Sequence, residues 1–429
     1  KTLGEDNWWR AINYYLRKYA NQPVETEQFR IAIEESTGQS LDWFFDEWLY
    51  QMGHPVFRVT QNYEPSTKTL KLTVEQLQTI DAASQFPQLA LFQTPVDVEI
   101  ATLSGTRLER VQILPKKEQS FAFPVDSSPL LVNFDYRGTL IKELEFDKTS
   151  AELVYQLTHD DDVLGRTWAL SQLAGRVNTE KTADVEKHHI ASELSRALMH
   201  DKFWGVRFEA ATALASVKDP SAREALVAAT KDSDARVRAR AITSLASSKD
   251  PSLASLYQQF LTDQSYGVIL AAASALGETK TAGAYESLTQ LLDTPSWRDN
   301  IKASALSGLG ALQDKRALDT GFLYAEKGNL PKVRIAALLL LGRIGGDNPK
   351  AFSLISRTAA QAFRDGDFNL GTASAEALVS LGDPRGLAVL DQISHVTSGT
   401  PRLHEVVSQF QERLRKLTTG DATSGTPQP

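Results

Sequence analysis

Three patterns of apolar and polar residues follow one another along the chain. Apolar residues spaced three or four positions apart, as in amphipathic helices, run as far as Tyr50. A period of two, typical of strands, runs from Pro55 to Asp147, after which alanine, leucine and arginine dominate. We therefore predict a multidomain, mainly α protein with helices in 1–54, an antiparallel β-sandwich in 55–147, an α-solenoid in 148–418 and a disordered tail in 419–429.

The first helical segment is rich in aromatic residues. Its first helix carries one apolar stripe, formed by Trp9, Ile12, Leu16 and Tyr19. A third helix, which Ser40 can cap and which has Asp42 in its first turn, is apolar on more than one side. Such a helix is normally buried on most sides, and a segment of this length cannot bury it alone. Because helical residues follow Lys1 at once, we expect the chain to be cut or processed from a longer protein.

The tryptophans of this segment should therefore lie at a surface that a partner covers. They are Trp8, Trp9, Trp43 and Trp48. A few hundred square ångströms of bare apolar surface rarely stay unoccupied. We expect these side chains to form either an exposed patch or a face through which copies of the chain self-associate.

Seven short runs with alternating or β-rich character predict the sandwich, since turn signals such as Ser104-Gly105 separate them. The runs are VFRVTQNYE, TLKLTVEQLQ, PVDVEIATL, ERVQILP, SFAFPV, PLLVNFD and LIKELEFD.

The long helical region is internally repetitive. Seven similar stretches align on one leucine each, namely Leu173, Leu214, Leu245, Leu276, Leu309, Leu341 and Leu378. The core period is about 31 residues, within the range typical of solenoid repeats. Each unit has the pattern of a small-residue-rich helix, a turn and a second amphipathic helix. Alanine and glycine let neighbouring helix pairs stack closely, so the pattern predicts short HEAT-like repeats.

Composition excludes several classes of function. A formal net charge of −7 gives no reason to expect a nucleic-acid partner, whose binding would call for a basic face. The chain contains no cysteine, which rules out disulfides, thiolate metal sites and thiol nucleophiles but does not decide the compartment. No run approaches the 18 or so apolar residues that a membrane span needs, so we expect no membrane partner.

The sequence offers no catalytic constellation. The histidines do not form the H-E-x-x-H spacing that places two zinc ligands and a general base on one helix face, and His404-Glu405 lacks the second histidine. Phosphate-binding and nucleophile-elbow motifs are also missing from the sequence. We therefore predict no catalytic, cofactor-binding or metal-binding residue and no cofactor in this chain.

Several weaker signals are interpreted as structural. His159 with Asp160, Asp161 and Asp162 could hold a hard cation, but a solvated loop whose acids cap a helix near Val163 is favoured. The acid pairs are interpreted as surface residues, namely Glu34-Glu35 and Asp46-Glu47. His54 is interpreted as a packed residue at the junction between segments.

Arginines at the starts of repeats could line an anion-binding groove or bind neighbouring repeats. They are Arg207, Arg236, Arg238 and Arg334. The second, structural role is favoured because acids precede several of them, at Asp201, Asp232 and Asp234.

One stretch, STGQSLDWFFDEWLYQMGHPVFRV in residues 36–59, resembles the end of the catalytic domain of aminopeptidase N-like zinc metallopeptidases, the gluzincin aminopeptidases. In that family a D-W-F-F-x-x-W helix precedes G-x-P and the first strand of a β-sandwich. The residues upstream, and the segments LTVEQLQT and FQTPVDVEI downstream, are also similar, so the resemblance covers residues 1 to about 147. A helical-repeat C-terminal region fits the family's layout.

The resemblance implies a parent protein that removes N-terminal residues from peptides with zinc. The family's zinc ligands and catalytic residues lie N-terminal to the matching region, so none is carried over and this chain alone should be inactive. Its partners would be the missing N-terminal catalytic domain and the parent's peptide substrates. In the family the C-terminal helical domain covers the active site and shapes peptide access.

An alternative is a non-catalytic scaffold in which sandwich and repeats bind a peptide or protein, as in members of the wider family that have lost their metal ligands. Intact zinc ligands upstream would favour the peptidase, and degenerate ones the scaffold. Bilin-lyase-type proteins also contain short HEAT-like repeats, but the sandwich and the aromatic helix do not belong to that group.

Overall fold

The computed structural model describes residues 2–346 and 348–419. The predicted disordered tail falls, from residue 420 onward, outside the described residues. The chain forms two compact units, Lys1–Glu193 and Leu194–Pro429. The predicted fold class is confirmed, because the protein is 59% helical and combines a small sheet region with helical repeats.

Three short helices open the chain, namely α1 (Glu5–Lys18), α2 (Thr26–Thr37) and α3 (Asp42–Phe45), which continues as a π-helical turn (Asp46–Tyr50). The predicted cap at Ser40 is wrong, since Leu41 occupies the N-cap position. Leu41 is buried, and its backbone N–H donates to Glu34 Oε1 at 2.6 Å. This bond and the burial of Leu41 fix where the helix begins.

All seven predicted strands form. They are β1 (Val56–Glu64), β2 (Thr69–Gln76), β3 (Thr94–Thr102), β4 (Gly105–Ile113), β5 (Glu118–Pro124), β6 (Leu131–Phe134) and β7 (Glu143–Phe146). One sheet has the order β5-β2-β1-β7 and the other β4-β3-β6. Neighbouring strands are antiparallel except β1 and β7, which run parallel.

Inward-facing residues of the two sheets form one core. Phe57 of β1 meets Phe134 of β6 edge to face, with ring centroids 5.6 Å apart. Trp168, from a helix outside the sandwich, packs against the same core. The sandwich is thereby joined to the first helices that follow it.

Sixteen further helices follow the sandwich in the described residues. They are α4 (Ser150–His159), α5 (Val163–Val177), α6 (Asp184–His200), α7 (Trp204–Leu214), α8 (Pro220–Ala229), α9 (Ala235–Ala246), α10 (Ala254–Gln259), α11 (Tyr266–Glu278), α12 (Ala284–Leu291), α13 (Asn300–Leu312), α14 (Leu318–Ala325), α15 (Pro331–Ile344), α16 (Pro349–Asp365), α17 (Phe368–Leu381), α18 (Gly386–Thr397) and α19 (Pro401–Thr419). Short 3₁₀ turns flank some of them, namely Pro251–Leu253, Phe260–Thr262, Trp297–Asp299 and Lys315–Ala317. In the part of the chain so described, none of these helices pairs the length with the apolar character that crossing a membrane requires.

The leucines that align the repeats all lie in the core. Each of the seven is at most 4% exposed, and each belongs to an odd-numbered helix from α5 to α17. Small residues allow the close stacking between those helices. A Cβ atom added to Gly277 in α11 would lie 2.2 Å from the carbonyl oxygen of Gly308 in α13.

We expect Gly277→Ala to destabilise the protein although alanine is the better helix former. The new methyl group would overlap the backbone of α13, and overpacking of this kind costs about 1–3 kcal/mol. The midpoint of urea unfolding, followed by circular dichroism, should fall.

Gly267→Ala in the same helix is the matched control. The nearest atom to a Cβ at this position is Ser265 Oγ at 3.6 Å, an ordinary contact. This variant should be neutral or gain up to about 1 kcal/mol from helix propensity. Equal effects of the two substitutions would contradict the close-stacking argument.

Candidate functional site

A large apolar opening in the first unit lies among α1, α2 and α3. We call it the aromatic groove, a cavity of about 610 Å³ whose walls include Trp8, Tyr15, Phe29, Phe44 and Leu49. The rings pack edge to face, with centroids 5.0 Å apart for Tyr15 and Phe29 and 6.4 Å apart for Trp8 and Phe29. Such geometry suits aromatic quadrupoles and fixes the shape of the walls.

The core beneath the groove is small. Among the described residues, its buried cluster consists of Ala11, Ile33, Leu41 and Phe45. Two residues of the predicted stripe of α1 are exposed, Trp9 at 60% and Leu16 at 62%, whereas Ile12 and Tyr19 are partly buried. This segment therefore buries little of its own apolar surface and can bind further apolar surface.

Only two of the four tryptophans expected in an exposed patch are exposed. Trp8 and Trp9 are exposed, whereas Trp43 and Trp48 are partly buried. Trp48 packs on Phe92 beside the sandwich, with ring centroids 5.5 Å apart. Self-association through this patch stays a prediction.

The interpretation of the acid pairs as surface residues is wrong for Glu47, which is 6% exposed. Its Oε1 accepts a hydrogen bond from the backbone N–H of Gln93 at 2.8 Å, while Oε2 has no partner among the described residues. Burial raises the pKa of Glu47 to about 7, and the nearby Asp46 charge adds to the rise. Glu47 thus ties the π-helical turn to the chain that leads into β3.

Two further interpretations need correction. Glu34 is half-buried rather than a surface residue, because it accepts from Leu41 N and from Arg30 Nη1 at 2.8 Å. His54 is exposed rather than packed, and its Nε2 lies 2.9 Å from Glu143 Oε1. Its partner in β7 is too distant in sequence to be predicted from spacing.

The segment of three aspartates after α4 is mostly buried, so the favoured solvated loop is wrong. Asp160 and Asp162 are buried, and Asp162 caps α5 as predicted by accepting from Leu164 N at 3.0 Å. His159 is exposed and stacks on Tyr155, with ring centroids 4.3 Å apart. The carboxylates that come together are Glu99 of β3, Asp160 and Asp161, whose ligand atoms lie within 4.8 Å of one another.

Neutral side chains donate hydrogen bonds to this carboxylate cluster and to the adjacent Asp162. The amide of Asn133 donates to both Asp160 and Asp162 at 3.2 Å. Burial raises the pKa of Glu99 to about 7, and the charge of Asp160 raises it further. Burial likewise lowers the pKa of the neighbouring Lys148 to about 7. The cluster is a hydrogen-bonded joint between the sandwich and α4–α5, and Glu99 and Asn133 could not have been assigned to it from sequence.

The arginines at repeat starts take the favoured structural role in two cases. Arg207 binds both carboxylate oxygens of Asp232, at 2.7 and 2.9 Å, and Arg238 binds those of Asp263 at 3.0 and 2.8 Å. Each guanidinium also donates to the backbone carbonyl six residues earlier, that of Asp201 or Asp232. Burial alone would raise the pKa of Asp232, but the hydrogen bonds from Arg207 hold it below the usual range.

The other two arginines differ. Arg236 pairs with Asp234 of its own repeat and stacks on the ring of Trp204 at 3.3 Å. Arg334 forms no ion pair with any of the described residues, and the one hydrogen bond of its side chain to them runs from Nε to Ala325 O at 3.4 Å.

Comparisons with known proteins find similarity to HEAT repeats, to aminopeptidases and to a transcription initiation factor. A family model described as HEAT repeats matches residues 150–237 and 224–310. The puromycin-sensitive aminopeptidase of Caenorhabditis elegans is 22% identical over 196 residues, covering 45% of this chain and 20% of that protein. Aminopeptidase N of Escherichia coli K12 is 24% identical over 206 residues, covering 45% and 22%. Transcription initiation factor TFIID subunit 2 of Drosophila melanogaster is 25% identical over 217 residues, covering 45% and 17%.

A solved structure extends the similarity over the whole fold. Aminopeptidase A of Legionella pneumophila, in complex with aspartic acid, matches 96% of this chain and 55% of its own, with a TM-score of 0.55 and 14% identity. The chain is similar to the C-terminal region of aminopeptidase N-like proteins. It spans about a fifth of the length of the curated relatives that it matches.

We expect Glu47→Gln to stabilise the protein at pH 8 but not at pH 5. A carboxyl whose pKa is raised on folding favours the folded state while protonated, and this advantage is lost as pH rises from its ordinary value to about 7. The amide avoids that loss, so its unfolding free energy at pH 8 should exceed that of the parent chain by about 2 kcal/mol. Urea unfolding at the two pH values measures this.

Glu5→Gln at the exposed start of α1 is the control and should shift stability equally little at both pH values. A Glu47→Gln variant that is less stable than the parent chain at pH 8 would show that the ionised carboxylate is needed.

Proposed function

We propose that this chain is the C-terminal, non-catalytic part of a zinc-dependent aminopeptidase and that it shapes peptide access to the active site of the parent protein. The aromatic groove carries the proposal, because an apolar face with so small a core beneath it calls for a covering partner. The similarity to two aminopeptidases supports the choice of partner, which would be the catalytic part.

We further propose three domains within the chain, namely 1–54, 55–147 and 148–418. Supporting this division, β1 begins at Val56, β7 ends at Phe146 and α4 begins at Ser150. In this arrangement the first segment completes the catalytic part, the sandwich joins it to the repeats, and the repeats restrict which peptides can reach the zinc.

The chain's own residues do not fit the family's zinc site. H-E-x-x-H is missing from the sequence, and the carboxylate cluster at Glu99 is already bonded to Asn133. No catalytic step is therefore assigned to residues of this chain, and zinc would be held by the rest of the parent protein.

We expect no chelator-sensitive aminopeptidase turnover and no stoichiometric zinc in this chain alone. The full product of its gene should hydrolyse aminoacyl-coumarin substrates and lose that activity with a chelator. Metal analysis by mass spectrometry on both proteins accompanies the assay. Turnover by this chain that a chelator abolishes would overturn the proposal.

The partner surface can be tested by charge insertion. Leu49 is 52% exposed on the wall of the groove, and Leu49→Lys should weaken association with a co-expressed upstream part at least tenfold because it places a charge in a desolvated contact. Leu323→Lys, at a 59% exposed leucine in α14, is the control and should leave association unchanged. Co-purified peptidase activity and a binding titration report the result.

A second candidate function is a peptide- or protein-binding scaffold. The similarity to TFIID subunit 2 supports this second candidate, because that protein is named for transcription initiation and not for peptidase activity. Under this alternative the full gene product would lack the zinc ligands and show no turnover, while the groove would still bind a protein partner. The upstream sequence and the chelator assay together separate the two functions.

A further inference from the structure

Arg334 occupies the same repeat position as two arginines that hold neighbouring repeats together. Arg207, Arg238 and Arg334 each lie seven residues before the leucine that aligns their repeat. The first two each bind an aspartate that lies 13 residues before the next such leucine, as Asp232 and Asp263 do. By the same spacing, the partner of Arg334 would be Asp365, 13 residues before Leu378.

Arg334 and Asp365 do not form the equivalent ion pair. Asp365 is exposed, accepts a hydrogen bond from Gln361 at 2.7 Å, and makes no ion pair with Arg334. The helix between Arg334 and Asp365 is longer than the one between Arg207 and Asp232. α16 has 17 residues, whereas α8, which lies between Arg207 and Asp232, has 10.

Arg334 and Asp365 both line one cavity, which has a volume of about 630 Å³. Four other charged side chains share its walls, namely Glu326, Lys327, Arg357 and Asp367. The walls thus carry three positive and three negative groups, and Lys327 and Arg357 make no ion pair with any of the described residues.

The chemistry of the walls selects the ligand. A half-buried guanidinium without a carboxylate leaves a fork of donors that fits an oxyanion in two bonds. Asp365, on the same cavity, similarly lacks the cation that its counterparts Asp232 and Asp263 hold. A phosphate dianion would meet three carboxylates, whereas a molecule with one carboxylate and one ammonium group replaces both missing partners.

We propose that this cavity binds an amino-acid zwitterion, with the carboxylate on Arg334 and the ammonium group on Asp365. Its volume suits a small ligand, since small-molecule sites typically span several hundred cubic ångströms. The proposal is independent of the aminopeptidase function, because the site lies within this chain and its test needs no catalytic part.

The test is isothermal titration calorimetry, in which this chain is titrated with a panel of free L-amino acids at constant ionic strength, starting with L-leucine. Blocked forms of each binder separate the two charges, since L-leucinamide lacks the carboxylate and N-acetyl-L-leucine lacks the ammonium group. We expect either blocked form to bind at least tenfold more weakly, as the loss of one charge-assisted contact requires. Inorganic phosphate is the competing oxyanion.

Arg334→Gln and Asp365→Asn should each weaken amino-acid binding at least tenfold. Because Asp365 is exposed and asparagine can still accept from Gln361, the second variant should fold even if the first does not. Lys350→Gln removes an exposed positive charge near the start of α16, outside the cavity, and is the matched control with unchanged binding.

Several results would overturn the proposal. They are the absence of binding by any amino acid of the panel at millimolar concentrations, tighter binding of phosphate than of any amino acid, equal binding of the amide and the free amino acid, or full binding by Asp365→Asn.

Discussion

A helix pair of the repeat region can bury its apolar face only against the next pair, and this constraint decides most of the structure after the sandwich. The aligned leucines meet that need because each occupies the buried side of its helix. Close contact between the odd-numbered helices then requires small residues where the backbones meet, as at Gly277 and Gly308. The regular repeat length and the abundance of alanine are therefore two consequences of one packing requirement.

The same stacking determines which charged side chains of neighbouring repeats meet. A constant spacing places an arginine of one repeat beside an aspartate of the next, so Arg207 and Arg238 find bidentate partners with little side-chain exposure. The interval from Leu341 to Leu378 is longer than the intervals before it in the regular repeats, and there the equivalent arginine and aspartate stay apart. One kind of residue pair thus forms a joint between repeats at two places and lines a cavity at a third.

Features that depend on a local period could be predicted from the sequence, whereas features that depend on distant partners could not. The seven strands follow from the alternation of side chains along each strand, and the aligned leucines follow from the repeat period. Glu99 and Asp160 come from a strand and a loop far apart in sequence, so their joint around Asn133 had no signal. The burial of Glu47 did have a signal in the sequence, because an acid between Phe45 and Trp48 on an apolar turn is a candidate for burial. Its hydrogen-bond donor, the backbone N–H of Gln93, lies far away in sequence.

The aromatic helix of the first segment has two different sides, and only one of them is completed by the described residues of this chain. Trp48 packs on Phe92 and Glu47 accepts from Gln93, so this side is bound to the sandwich by both an apolar contact and a buried hydrogen bond. The other side, with Leu49 and the rings around Phe29, faces an open groove. Because the attachment to the sandwich already fixes the helix in place, the groove is held in shape before anything fills it. A preformed apolar surface of this kind can bind a partner without a large cost of ordering.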